Sequence, residues 1–316
     1  MSEELIKAVI KKRALEGGCV ALLELARADG APLPPFDAGA HVDLHITPDI
    51  TRQYSLCGDP AQHASYHLGI LNDPKSRGGS AAVFDSFHEG REVVISAPRN
   101  LFPLDPDAHQ TLLIGGGIGV TPMIAMAYAL HAQGKDFALH YCGHARATSA
   151  FIPELQAAPF AARVHMHFSD EARIDLPATL GQGHSGLHVY TCGPVGFMDK
   201  VIETAKQQGY ADANIHKEYF QAEVDNSGAS FEIVTAKSGK TLEVKAGESI
   251  LNVLGAAGIA MKKSCEQGVC GACMVDVLEG EPEHRDKYLT DDEKADNTLI
   301  VTCCSRAKSK RLVLDI

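Results

Sequence analysis

The chain has 316 residues, 45% of them hydrophobic and 22% charged, with a formal net charge of −11. Such a length holds two or three domains, and the acidic balance argues against a nucleic-acid partner, which would meet a basic face. There is no run of the ~18 apolar residues that a membrane span needs, the start Met-Ser-Glu-Glu-Leu-Ile-Lys lacks a signal-peptide pattern, and nine cysteines in an unexported chain read as reduced thiols or ligands. The expectation is a cytoplasmic protein.

Residues 1–105 read as short strands separated by Gly and Pro, the clearest at 19–27, 40–46, 53–57, 66–71 and 92–97. Several alternate apolar with polar residues, and their even spacing predicts a small antiparallel barrel. Within it, Arg52 and Tyr54 share one face of a strand and Ser55 takes the other. Arg77-Gly78-Gly79-Ser80 opens a helix, where glycines and a helix N-terminus favour an anion. Ser80 also suits a plain helix start, but together with Arg52 the segment predicts a phosphate site.

Residues 106–225 change character. Apolar runs at 111–114, 137–141, 164–168 and 187–191 alternate with helical stretches at 122–133, 151–157 and 195–208, the mark of a doubly wound parallel sheet. Leu112 to Met123 reads as strand, glycine turn and helix start, with Gly115, Gly116, Gly117 and Gly119 in the turn and Pro122 in the first helical turn. The glycine spacing departs from the G-x-G-x-x-G fingerprint. Thr191-Cys192-Gly193-Pro194 closes a later strand, and such sheets meet their ligands at strand C-termini. After the third strand stands Phe168-Ser169-Asp170-Glu171. An acidic group there accepts from a ribose 2′-OH and repels a 2′-phosphate, so NADH is expected over NADPH, with Asp170 as the discriminating residue.

A polar linker at 223–228 precedes the last segment, 229–316. Strands are expected at 231–235, 241–244, 274–278 and 299–302, with a helix from Ser249, as a mixed sheet with one packed helix. Cys265-x4-Cys270-x2-Cys273 with distant Cys303 has the ligand spacing of a plant-type [2Fe-2S] cluster. Small residues between them (Ser264, Gly268, Gly271, Ala272) let the backbone wrap a cluster and aim N–H groups at the sulfurs. Zinc sites usually show two CxxC-like pairs, and only one is present. The stretch 276–296 carries nine acids against three bases and reads equally as a docking surface for a basic partner or as a solvated face.

Arg52-x-Tyr54-Ser55, Gly116-Gly117-x-Gly119-x-Thr121-Pro122, Cys192-Gly193-Pro194 with Met198, Glu218-x-Phe220 and Cys303-x-Ser305-Arg306-Ala307-Lys308 occur in an order that resembles the one-chain reductases of two-component aromatic-ring oxygenases, the family of phthalate dioxygenase reductase and vanillate demethylase reductase. The resemblance runs along nearly the whole chain. It implies a flavin-binding barrel (1–105), an NAD-binding domain (106–225) and a C-terminal β-grasp ferredoxin domain (229–316). It further implies FMN, held by Arg52, Tyr54, Ser55, Gly69, Gly78, Gly79 and Ser80, and NADH, held by the glycine turn, Thr121, Pro122, Asp170, Cys192, Gly193 and Pro194. Ser55, Thr121, Cys192 and Phe220 would serve hydride transfer, Phe220 as the ring's aromatic cover. The implied role is a reductase passing electrons from NADH through FMN and the cluster to a Rieske-type oxygenase, acting as a monomer. A diiron hydroxylase or a cytochrome P450 is the rival acceptor, and an iron–sulfur redox sensor is the rival outside catalysis.

Overall fold

The computed structural model describes residues 5–74 and 76–316; residues 1–4, part of the start on which the export expectation rests, lie outside them. Among the described residues no helix is long and apolar enough to cross a membrane. The chain forms two compact units, Met1–Glu218 and Tyr219–Ile316.

The first unit holds two sheets. One is seven-stranded and antiparallel, in the order Ile50–Ser55, Ala40–Thr47, Glu92–Ser96, Leu5–Glu16, Val20–Arg27, Tyr66–Leu71, with Arg99–Asn100 also pairing Ala40–Thr47. An antiparallel bridge between Leu56 and Leu68 joins its two end strands and closes it into the expected barrel. Its longest strand, Leu5–Glu16, has no counterpart in the sequence expectations. Lys and Ala are poor strand formers, yet Ile6, Ala8 and Ile10 alternate inward while Leu5 and Lys7 stay exposed. Pairing on both sides outweighs local propensity.

The other sheet is parallel throughout, in the order Val164–Phe168, Asp136–Gly143, Gln110–Gly116, Leu187–Cys192, Ile215–Glu218. Leu112 and Ile114 pack with Val201 and Ala205 of the helix Val195–Gln207 on one face. The helix Val120–Ala132 packs on the same central strands and has nine buried residues, so it lacks the apolar stripe of a surface helix. The last strand, Ile215–Glu218, is short and was not anticipated.

In the second unit a mixed five-stranded sheet runs Thr241–Val244, Phe231–Thr235, Arg311–Leu314, Met274–Glu279, Leu299–Val301. Phe231–Thr235 is parallel to Arg311–Leu314 and the other pairings are antiparallel. The central strand Arg311–Leu314 is another that the sequence expectations lacked. Helix Ile250–Ala256, capped by Ser249 Oγ accepting from Asn252 N–H at 3.2 Å, sinks Ile250 and Leu254 among Phe231, Ile233, Leu312 and Leu314. A second core joins Leu251, Leu289 and Val301 to Cys273, Cys303 and Cys304.

Candidate functional site

The barrel strand Ile50–Ser55 carries Arg52, Tyr54 and Ser55. Arg52 lies against the start of the helix Gly79–Ser86: a Cβ on Gly79 would stand 3.1 Å from Arg52 Cγ and 3.2 Å from its Nε. Gly78 caps that helix at φ 84°, a left-handed turn that favours glycine. A guanidinium beside a helix N-terminus is a donor set suited to a phosphate group. Ser80 turns its hydroxyl to Ser76 Oγ at 2.9 Å, an internal bond. Tyr54 is half-buried, and burial pushes its phenol up to about 12. Ser55 is buried and donates its hydroxyl to the carboxyl of Glu218.

Glu218 ends the short strand Ile215–Glu218, beside Cys192 in register. Burial raises its carboxyl to about 8 against the hydrogen bond from Ser55, and its Oε2 has no partner. The expectations had used Glu218 only as a motif letter. An unexpected strand delivers it to the barrel serine, and a strand too short for a periodic signal leaves no trace in one sequence.

The glycine turn lies at the C-terminal ends of two adjacent strands. Cys192 pairs with Gly115, and a Cβ on Gly119 would fall 2.4 Å from the carbonyl carbon of Cys192 and 2.6 Å from Gly193 N. Gly116 would meet the ring of Phe197 at 2.8 Å, whereas at Gly117, with φ +55°, the space is open. The two turns thus touch through backbone and leave room only toward Gly117, a cradle suited to a dinucleotide. Pro122 sits in the first turn of its helix, and Thr121 Oγ1 donates to Ile118 O at 2.9 Å. Cys192 is fully buried, and burial ahead of the Glu218 charge pushes its thiol well up, so it stays neutral. Gly193 at φ 152° and Pro194 lead into the helix Val195–Gln207.

Gly69 has a packing reason of its own. A Cβ there would lie 2.5 Å from Phe151 Cζ and 3.1 Å from Thr121 Cγ2. Phe151, at φ 65°, presses its buried ring into that notch. Asp170 is exposed, its N–H donating to His144 O at 3.1 Å just past the third strand. Phe220 falls in the second unit and is half-buried there.

In that second unit Cys265, Cys270, Cys273 and Cys303 are all buried. They form two thiol pairs. The hydrogen bond from Cys270 pulls Cys265 down to about 6 against burial, which raises it, and the same contact pushes Cys270 up. Cys273 is pushed up by its contact with Cys303, then by burial. Sulfurs that share protons pairwise stand where two iron ions would replace those protons. Gln267 N–H donates to Cys265 Sγ at 3.3 Å and Gly268 N–H to Cys303 Sγ at 3.2 Å, the donors that a thiolate-held cluster calls for. The residues therefore fit a [2Fe-2S] cluster. Cys304 points its thiol to Val301 O and Ser305 Oγ.

Residues 234–308 match the 2Fe-2S iron-sulfur cluster binding domain family, and residues 95–215 match the N-terminal domain family of the dimethylamine monooxygenase subunit DmmA. Fold and site together define an electron-transfer oxidoreductase that joins a dinucleotide-type turn to an iron–sulfur ferredoxin fold. The chain is 46% identical to a vanillate O-demethylase oxidoreductase of Pseudomonas sp. strain HR199, over 99% of this chain and 100% of that protein. Its structure matches phthalate dioxygenase reductase with a TM-score of 0.76 and 36% identity, covering 99% of this chain and 98% of that one. It also matches a self-sufficient cytochrome P450 monooxygenase with a TM-score of 0.87 and 35% identity, spanning 99% of this chain but only 41% of that protein. The chain belongs to the vanillate O-demethylase oxidoreductase family of iron–sulfur oxygenase reductases.

Proposed function

We propose that this chain is the NADH-dependent reductase of a two-component, Rieske-type oxygenase, that it uses FMN and a [2Fe-2S] cluster, and that it works as a cytoplasmic monomer with domains bounded at about 105 and 225–229. The observation that carries the reading is one chain holding both a glycine cradle at parallel-strand ends and four paired cysteines, matched end to end by oxygenase reductases. When bound, the flavin accepts electrons as a pair and the cluster carries them singly. Arg52 and the Gly79 helix start would hold the flavin phosphate, and the likeness to phthalate dioxygenase reductase favours FMN. The glycine turn and Pro194 would seat the dinucleotide, and Asp170 would accept from the ribose 2′-OH. Neutral Cys192 and Thr121 border the reacting face without adding charge. A cytochrome P450 acceptor is the second reading, because the same module occurs within the P450 monooxygenase chain.

Anaerobic titration with NADH tests the reading. Bleached flavin bands, a rhombic low-temperature EPR signal and released FMN support it. If dithionite reduces the cluster and NADH reduces nothing, the nicotinamide site is wrong.

Two predictions arise here. Replacing Asp170 with Ala should raise NADPH use relative to NADH by about tenfold, since a lost repulsion of ~1.4 kcal/mol gives that factor; steady-state kinetics with both cofactors reads it. The second concerns pH. Glu218 has its carboxyl raised from 4.5 to about 8, so it is protonated in the folded protein at neutral pH. The folded state then binds more protons than the unfolded one across that window, and stability falls as pH rises from the ordinary carboxylate range through about 8. Above it a desolvated charge forms beside Ser55. Stopped-flow reduction of the flavin by NADH should slow through that pH in the wild type, and Glu218→Gln should flatten the profile. An identical alkaline limb in both proteins would assign the titration elsewhere.

A further inference from the structure

The acidic stretch 276–296 contains one acid unlike the rest. Glu281 pairs with Lys308, Glu283 with Arg285, and Asp291, Asp292, Glu293 and Asp296 stand exposed on the short helix Asp291–Asp296. The Asp286 side chain, in contrast, has no exposed surface. It takes no part in docking, yet a buried carboxylate is costly unless its oxygens are satisfied.

They are satisfied by the backbone of its own turn and by Ser305, which follows the ligand Cys303. Oδ2 accepts from Leu289 N–H at 2.8 Å and Tyr288 N–H at 3.1 Å, and Oδ1 accepts from the Ser305 hydroxyl at 3.3 Å. Ser305 stands two residues after Cys303. Lys294 Nζ is 3.9 Å from Oδ2 and donates to the Asp286 carbonyl at 3.0 Å, while His284 Nδ1 lies 3.8 Å from Oδ1. A Cβ on Gly268 would come within 3.2 Å of Asp286 Cα, and one on Gly271 within 2.3 Å of the Tyr288 ring. Lys287 N–H donates to Gly268 O at 2.9 Å, and Gly268 N–H is the donor to Cys303 Sγ. The turn that Asp286 organises therefore packs on the cysteine loop, with the Asp286 Cα and Cβ against the glycine that bonds a ligand sulfur.

We propose that Asp286, with Lys294 as its counter-charge, is a positioning residue that sets the reduction potential of the cluster; this rests on the cluster reading above. Adding an electron makes the cluster more negative. A buried anion beside it opposes that step in a medium where charges are weakly screened, and the ammonium of Lys294 favours it.

The experiment is a spectroelectrochemical titration of the full-length holoprotein and three variants, with EPR of each reduced sample. Asp286→Asn keeps the shape and removes the charge, and should shift the one-electron equilibrium about fivefold toward the reduced form, which is about 40 mV upward at 59 mV per tenfold. Lys294→Gln should shift it the other way. Asp291→Asn, an exposed acid on the neighbouring helix, should stay within about twofold because solvent and salt screen it. Opposite signs separate a charge effect from a loosened loop, which would move both variants alike. Shifts of one sign, or of less than twofold, with normal EPR signals overturn the proposal. If Asp286→Asn fails to assemble, Lys294→Gln decides by itself. A wild-type protein with no rhombic signal sinks the cluster reading instead.

Discussion

Cys303→Ala should abolish the iron–sulfur centre, while Cys304→Ala should keep it. The two thiols are neighbours in sequence, are both buried and touch each other, but their other partners differ. Cys303 Sγ accepts from Gly268 N–H and contacts Cys273, completing the second thiol pair. Cys304 Sγ turns to Val301 O and Ser305 Oγ and occupies the space a Gly268 Cβ would need, 2.5 Å away. If the four cysteines hold the cluster in these pairs, losing Cys303 would leave one iron with a single protein ligand, and since cluster binding would also supply folding energy the second unit should melt earlier. Losing Cys304 removes one buried sulfur, a loss of about 1 kcal/mol. Iron and sulfide content, visible absorbance and low-temperature EPR compare the variants. Flavin bleaching by NADH should survive in Cys303→Ala, since the first unit is a separate fold. A cluster retained in Cys303→Ala and lost in Cys304→Ala would reverse the ligand assignment.

The ligand spacing and the glycine turn were legible because they are local: three cysteines within nine residues and four glycines within five dictate loop geometry without help from the rest of the chain. The strand runs of the parallel sheet were legible because strands buried on both faces read as unbroken apolar stretches. What escaped depends on distant partners. Leu5–Glu16 is held on one side by Glu92–Ser96, far along the chain, and Arg311–Leu314 is central to its sheet though only four residues long. Glu218 and Asp286 escaped for a related reason. A carboxylate in one sequence reads as surface charge, and only packing reveals that each is buried beside a site. Gly69 was assigned to the flavin by resemblance, while the structure supplies a nearer cause in Phe151.

Gly119→Ala should nearly eliminate NADH-driven reduction and leave both redox centres in place. The added methyl would stand 2.4 Å from both the carbonyl carbon and the oxygen of Cys192. Those are backbone atoms at the end of a strand paired in register with Gln110–Gly116, so no side chain can swing aside to relieve the overlap. The two turns must part, and with them the path along which a dinucleotide lies. Displacement of about 1 Å from a reacting geometry costs about a hundredfold in rate. The loss should appear in the rate of flavin bleaching by NADH. Photochemical reduction of the flavin and dithionite reduction of the cluster should match the wild type, because Arg52, Ser55 and the four cysteines are untouched. Gly117→Ala is the internal comparison. Its Cβ meets no atom, so its effect comes from the left-handed φ of +55° alone, about 1 kcal/mol. It should therefore be clearly milder. Equal losses from both substitutions would mean that the turn's flexibility, and not the close approach of Gly119 to Cys192, is what seats the dinucleotide.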